Sequence, residues 1–171
     1  MAWRKASGSG GIYAGLANSR VRYYALSMKN SLYDTDYYAW SNQQAALLRE
    51  GRLADADIQN IAEEIESMGR SEKRELISRL EVLLLHLLKW RFQPNLQSAS
   101  WRGTIVNQRW KIVDHMQDNP SLKAILDEAV ARAYRTARGD AALETGLAAE
   151  TFPATCPWRY AQFMNAEFWP L

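Results

Sequence analysis

Residues 76–90 read LISRLEVLLLHLLKW and carry the clearest helical pattern in the sequence. At about 100° per residue, the large apolar side chains of this segment fall within one narrow stripe: Leu76, Leu80, Leu83, Leu87 and Trp90. The segment 82–88 is apolar on nearly all sides, and a helix of that kind is buried on all sides. We therefore predict a central helix over 71–91, ended by the proline at position 94.

Shorter helices are predicted on both sides of the central helix. Their spans run from a cap at Asp34 or Thr35 to Glu50, over 55–68, over 99–117, and from Pro120 to an interruption at 138–140. Gly51 is expected to end the first helix in a left-handed conformation, and Gly69 to break or bend the chain. Ile65 and Leu83 are predicted to be core residues.

No segment alternates with the two-residue period of a strand. The predicted fold is all-α and has no β-sheet. It is a single helical bundle over 31–171, with about five main helices and an aromatic C-terminal tail that packs back.

The composition excludes several classes of protein. The chain has 171 residues, 47% of them apolar, which suits one folded domain rather than a disordered chain. No apolar run approaches the ~20 residues that span a bilayer, so no membrane association is expected. Cys156 is the single cysteine, which excludes an internal disulfide and a four-cysteine zinc site.

Residues 1–27 differ in kind from the rest of the chain. They contain four glycines, four basic residues and no acid, without a helical or strand period. We interpret this leader as an over-extended reading frame with Met28 as the true initiator, or else as a disordered arm. The remaining residues carry 17 basic and 19 acidic side chains, so the domain itself lacks the basic excess of most nucleic-acid binders.

Several long motifs occur in one order along 28–171. They are Leu32–Trp40 (LYDTDYYAW), 65–76 (IESMGRSEKREL), 86–90 (HLLKW) with Gln93-Pro94, Trp101 with Thr104-Ile105, Asn119–Leu122, and Phe152-Pro153 through Cys156-Pro157. In these motifs the chain resembles the bacterial domain-of-unknown-function family numbered 29. The resemblance implies an all-helical fold and supports Met28 as the start. It implies no activity, so it assigns no catalytic residue.

The polar candidates lie mainly along the central helix. Glu66, Arg70, Glu75, Arg79 and His86 form a candidate polar cluster, in which His86 could act as a general base or a pH-sensitive group. The alternative is that the charged residues form a solvated face of the helix, and that His86 lies on the flank of the helix and is hydrogen-bonded to a neighbouring helix. Neither histidine belongs to a Glu-x-x-His motif, so we expect no metal and no cofactor.

Two further groups of residues complete the candidates. Arg102 and Arg109 share a helix stripe and could frame an anion site, although the body has no glycine-rich phosphate loop. Tyr38, Trp110 and Trp169 exceed what a two-layer core needs and are candidate interface aromatics. Either the C-terminal tail covers Trp110 or another chain does, and we favour the tail.

These observations favour a cytoplasmic protein-interaction module that acts through a helical surface, with a homodimer as one possible form. One alternative is an enzyme with a pocket near His86, Arg102 and Arg109 that acts on a small anionic substrate. Another is a nucleic-acid-associated stress module, which would need a basic face that the composition does not favour.

Overall fold

The computed structural model describes residues 31–171, and within this range it contains helices and no strand. The α-helices are α1 (Leu32–Thr35), α2 (Tyr37–Arg49), α3 (Ile58–Phe92), α4 (Ala99–Asp118), α5 (Leu126–Thr145) and α6 (Tyr160–Phe163). Three short 3₁₀ helices lie between them: Pro94–Leu96, Pro120–Ile125 and Ala149–Thr151. The predicted all-α class is confirmed, whereas the leader at 1–27 lies outside the described residues.

The chain divides into two compact units, with the boundary inside α3. One unit ends at Glu64 and the other begins at Ile65. The single domain over 31–171 stays a prediction. None of the helices in the described range is both long enough and apolar enough to cross a bilayer.

In the unit that ends at Glu64, α2 begins at a different cap from the predicted one. The Asp36 side chain accepts a hydrogen bond of 2.9 Å from the backbone N–H of Ala39, so Asp36 is the N-cap rather than Asp34 or Thr35. Gly51 follows the helix with a φ of +71°, the left-handed conformation that was predicted. The buried residues of α2 are Trp40, Gln44 and Leu47.

Of the two alternatives at Gly69, a break or a bend, the break does not occur, and the predicted interruption at 138–140 is wrong. The helix α3 continues through Gly69, and α5 continues through the predicted interruption at 138–140. A glycine in a helix interior costs only about 1 kcal/mol relative to alanine, which the hydrogen-bonded turns on either side offset. The real end of α5 is at Gly146, which has a φ of +69°.

The core of the unit that begins at Ile65 is built on the second part of α3. Leu83, Leu84, Leu87 and Leu88 are fully buried, as predicted for the central helix. The other elements contribute one buried face each: Ile105, Ile112 and Met116 from α4, Ala129, Ala133, Ala137 and Ala141 from α5, and Phe152, Trp158 and Phe163 from the tail. The four alanines are spaced by four residues, so they form one small-residue face on which neighbouring side chains pack closely.

The prediction that Ile65 is a core residue is wrong. Ile65 and Met68 are each 61% exposed, although they follow the helical spacing of a buried face. The same helix therefore carries an apolar stripe that other described residues leave largely open.

Candidate functional site

The predicted polar cluster on α3 is a series of separate pairs. Arg70 and Glu66 are 3.3 Å apart, and Arg79 pairs with Glu75 one turn along the helix. A rise of about 1.5 Å per residue separates Glu66 from His86 by about 30 Å. The Arg70–Glu66 pair is exposed, and a pair of this kind stabilises a helix by about 0.3–0.5 kcal/mol. The five predicted residues are therefore not brought together at one point.

His86 is half-buried and bonds to its own helix. Its Nδ1 lies 2.8 Å from the carbonyl oxygen of Val82, which can only accept, so Nδ1 carries the proton. Burial lowers the pKa of His86, and Lys89 lowers it further, although the bond to Val82 opposes them. The imidazole is thus held neutral at physiological pH.

Polar side chains at seven-residue spacing meet between α3 and α4. Nε2 of His115 lies 3.0 Å from the carbonyl oxygen of Glu72, and Asn119 donates to the Glu72 carboxylate at 3.3 Å. One heptad further, the same antiparallel register places Gln108 opposite Arg79. Nε of Arg79 and Oε1 of Gln108 are both buried and have no hydrogen-bond partner among residues 31–171. This seam is a missed feature that the heptad spacing of Glu72, Arg79 and His86 could have indicated.

Arg109 fastens the C-terminal tail rather than presenting a free cation. Its side chain is 4% exposed, and its three nitrogens donate to the carbonyl oxygens of Phe163 (2.8 Å), Ala166 (3.3 Å) and Phe168 (2.6 Å). Burial lowers its pKa from the ordinary range. Since these donors are occupied, the predicted anion site depends on Arg102, whose guanidinium is exposed and lies 5.1 Å from the ring centroid of Trp169.

The three candidate interface aromatics have different surroundings. Trp169 is half-buried and packs on Trp90 with ring centroids 4.8 Å apart. Tyr38 is 79% exposed, and Trp110 is 69% exposed. The expectation that the tail covers Trp110 is wrong, because the tail is held at Arg109 on the neighbouring position of α4.

The exposed face of α4 has one hollow beside Trp110 and another that begins at Val113, one turn further along. A hollow of about 90 Å³ is lined by Val106, Arg109, Trp110, Val113, Met164 and Ala166. A second hollow of about 480 Å³ begins at the same Val113 and continues past Met116 and Leu126 to Tyr160. Val113 itself is 44% exposed. The face therefore combines projecting apolar side chains with apolar recesses.

A larger cavity of about 700 Å³ lies between α5 and the segment 154–161. Tyr134 and Trp158 are buried in its wall, and Cys156 is half-buried. Burial raises the pKa of Tyr134 to about 12, and its hydroxyl donates to the carbonyl oxygen of Pro153 at 2.7 Å. Burial also raises the pKa of Cys156, whose thiol donates to the carbonyl oxygen of Trp158 at 3.3 Å. Both groups are therefore neutral near pH 7. His86 lines neither this cavity nor the two hollows on α4.

The carboxylate of Glu64, in the first turns of α3, binds two tyrosines. Its carboxylate accepts hydrogen bonds from Tyr33 at 2.5 Å and from Tyr37 at 3.0 Å. The bond to Glu64 raises the pKa of Tyr33 to about 12. Trp40 lies against both tyrosine rings, so this cluster holds α1 and α2 to the first turns of α3. No periodicity in the sequence pairs a carboxylate with aromatic residues about 30 positions earlier.

Among residues 31–171, no three His, Cys, Asp or Glu side chains come together in a way that could hold a metal ion. A family model described as "Domain of unknown function DUF29" matches residues 32–169, which include the motifs on which the resemblance was based. No curated protein and no solved structure matches the chain.

Proposed function

The chain belongs to the family described as Domain of unknown function DUF29, and we propose that it acts as a protein-interaction module whose binding surface is the exposed face of α4 around Trp110. The partner that this face fits best is a second copy of the chain. The proposal keeps the expectation of a cytoplasmic bacterial protein. Its main support is the 69% exposure of Trp110 beside an apolar hollow.

An exposed tryptophan on a helix face is a feature of protein interfaces, where tryptophan is enriched and often dominates the binding energy. Trp110 projects from the middle of α4, and Val113 continues the apolar surface one turn further. The hollow beside Trp110 gives a partner side chain a place to insert. Contact with a second molecule would remove these side chains from water.

The sequence of this face is self-complementary when two α4 helices cross antiparallel on a two-fold axis at the level of residue 108. Trp110 of one copy then lies opposite Val106 of the other. Val113 lies opposite Gly103, where the absence of a side chain leaves room for it. Since each contact occurs twice in a two-fold dimer, a short apolar patch is doubled in area.

The charges at the edge of the face follow the same symmetry. Asp114 lies opposite Arg102 in this arrangement, and both are exposed. Neither has an ion-pair partner in the described part of the chain. Two salt bridges of opposite polarity would therefore form across the axis, which favours one antiparallel register.

The alternative of an enzyme near His86, Arg102 and Arg109 has less support. Arg109 already donates to three carbonyl oxygens, and His86 donates to Val82. The α4 face needs no such displacement of existing bonds.

Light scattering after size-exclusion chromatography tests the proposal on the full chain across a dilution series. We expect a species of twice the 19.5 kDa chain mass at high concentration, and its loss in Trp110→Glu. The control is Leu143→Glu, which places the same charge at a residue that is 83% exposed on α5. A wild-type monomer at every concentration would refute the homodimer.

A charge exchange distinguishes this arrangement from other dimers. We expect Arg102→Asp and Asp114→Arg each to weaken dimerisation by about tenfold, because each single variant places like charges together. The double variant restores opposite charges and should recover most of the affinity. If the double variant is weaker than both single variants, the antiparallel register is incorrect.

A further inference from the structure

The cavity between α5 and the segment 154–161 has the size of a small-molecule site. Its volume is about 700 Å³, within the range of about 300–1,000 Å³ that is usual for ligand pockets. The wall is mainly apolar and aromatic, with contributions from Val130, Ala131, Tyr134, Trp158 and Ala161. An apolar chain would leave the Tyr134 hydroxyl and the Cys156 thiol paired, because both already bond to backbone carbonyls.

The charged side chains of the cavity are mostly basic. Arg135 and Arg159 line it together with one acid, Asp127. None of these three has an ion-pair partner among residues 31–171. Arg135 and Arg159 are also exposed, so their guanidinium groups stand at the border between the apolar wall and water.

A polar hollow next to the cavity adds to this basic border. It has a volume of about 430 Å³ and shares Ala131 and Arg135 with the apolar cavity. Its other residues are Arg132 and Glu128, and Glu128 is bound to Lys73 at 2.9 Å. The acid of this hollow is therefore neutralised, whereas its arginines are not paired within the described residues.

From this juxtaposition we infer that the cavity binds an amphiphile with a single apolar chain and a carboxylate head group. The chain lies along Val130 and Trp158, and the head group accepts hydrogen bonds from Arg135 and Arg159. Arginine matches a carboxylate with two parallel hydrogen bonds, which makes a negatively charged head group preferable to a cationic one. The binding is non-covalent, and the cavity is lined by neither Trp110 nor Val113.

Isothermal titration of the full chain with sodium decanoate tests the inference below the concentration at which decanoate forms micelles. We expect saturable binding of one decanoate per chain. Decyltrimethylammonium has a chain that is one carbon longer and the opposite charge, and acetate has the head group alone, so neither should bind measurably. Equal binding of decanoate and decyltrimethylammonium would overturn the assignment of the head group, and no saturable binding of decanoate would overturn the site.

Variants of exposed residues locate the binding without disturbing the fold. Arg135→Gln and Arg159→Gln are each expected to weaken decanoate binding by about tenfold, whereas Arg74→Gln, an exposed arginine of α3, should leave it unchanged. Ala131→Trp should abolish binding because it fills the mouth of the cavity from an exposed position. Trp110→Glu should retain decanoate binding and lose only the dimer. Unchanged affinity in the Arg135→Gln Arg159→Gln double variant would refute the site.

Discussion

Two stretches of α3 form one continuous helix but have opposite surroundings. Residues 65–75 contain no buried side chain, whereas residues 76–92 contain all eight buried residues of the helix. In the first stretch Ile65 and Met68 are largely exposed, and in the second Leu83 and Leu87 are fully buried. The spacing of the apolar residues is helical in both stretches. Periodicity thus identifies a helix face, but the neighbouring elements determine whether that face is covered.

The two stretches should differ most in how much an introduced carboxylate lowers the free energy of unfolding. Leu83→Asp places a carboxylate among fully buried side chains and should cost more than about 4 kcal/mol of the free energy of unfolding. Ile65→Asp adds the same charge where the side chain is 61% exposed and should change it by less than about 1 kcal/mol. Thermal and urea unfolding of both variants measure this contrast. Equal destabilisation by the two variants would mean that the first stretch is also covered.

The next largest effect concerns the tail that closes the buried stretch. Arg109→Lys keeps the charge but cannot reach three carbonyl oxygens at once, so we expect a loss of about 3 kcal/mol and faster proteolysis of the segment after Arg159. Arg102→Lys is the matched control, since Arg102 is exposed and lies over the same Trp169 ring. If both variants are equally stable to urea and protease, the hydrogen bonds of Arg109 do not hold the tail.

A smaller effect of opposite sign is expected in the exposed stretch. Gly69 lies inside the helix, and a Cβ there meets no atom within 4 Å. Gly69→Ala should therefore raise the free energy of unfolding by about 0.5–1 kcal/mol. Gly51→Ala is the contrasting variant, because its φ of +71° makes alanine destabilising. Urea denaturation measures both, and a loss of stability in Gly69→Ala would indicate that another chain or segment packs closely at this position.

The smallest expected effect is a change in pH dependence at His86 in the buried stretch. Burial places its pKa in the folded protein below 6.5, the ordinary value that applies to the unfolded chain. The unfolded chain therefore binds the proton first as the pH falls, and stability that is complete above pH 6.5 is lost below it. His86→Gln should show a flatter fall in the free energy of unfolding below pH 6.5 than the wild type. Identical slopes would mean that His86 titrates alike in both states.

The sequence alone predicts the helical class well because helical periodicity records which side chains share a face. It predicts α4 almost to its ends, and it identifies Leu83 and Leu87 as buried. It fails where a small local cost is offset by the rest of the helix, as at the predicted interruption over 138–140. It also fails at Ile65, where the pattern is intact but no element within residues 31–171 covers the side chain.

The candidate sites could be predicted only in part. The spacing on α4 places Trp110 off the buried face, but the expectation that the tail covers it is wrong, because the side chain is 69% exposed. The three acceptors of Arg109 are backbone carbonyls. Every residue has such a carbonyl, so the sequence does not show which ones accept. The cavity beside Tyr134 depends on how a loop after Pro153 returns to α5, and no periodic pattern encodes that path.

The three hydrogen bonds from Arg109 to the C-terminal tail have a consequence for synthesis of the chain on the ribosome. Its three acceptors lie 54, 57 and 59 residues further along the sequence. When α3 and α4 have emerged, the residues that accept hydrogen bonds from the Arg109 guanidinium have not yet been synthesised. The core side chains Phe152, Trp158 and Phe163 have not been synthesised either. The leucine side chains of α3 therefore stay accessible to chaperones until residues 163–168 have emerged from the ribosome.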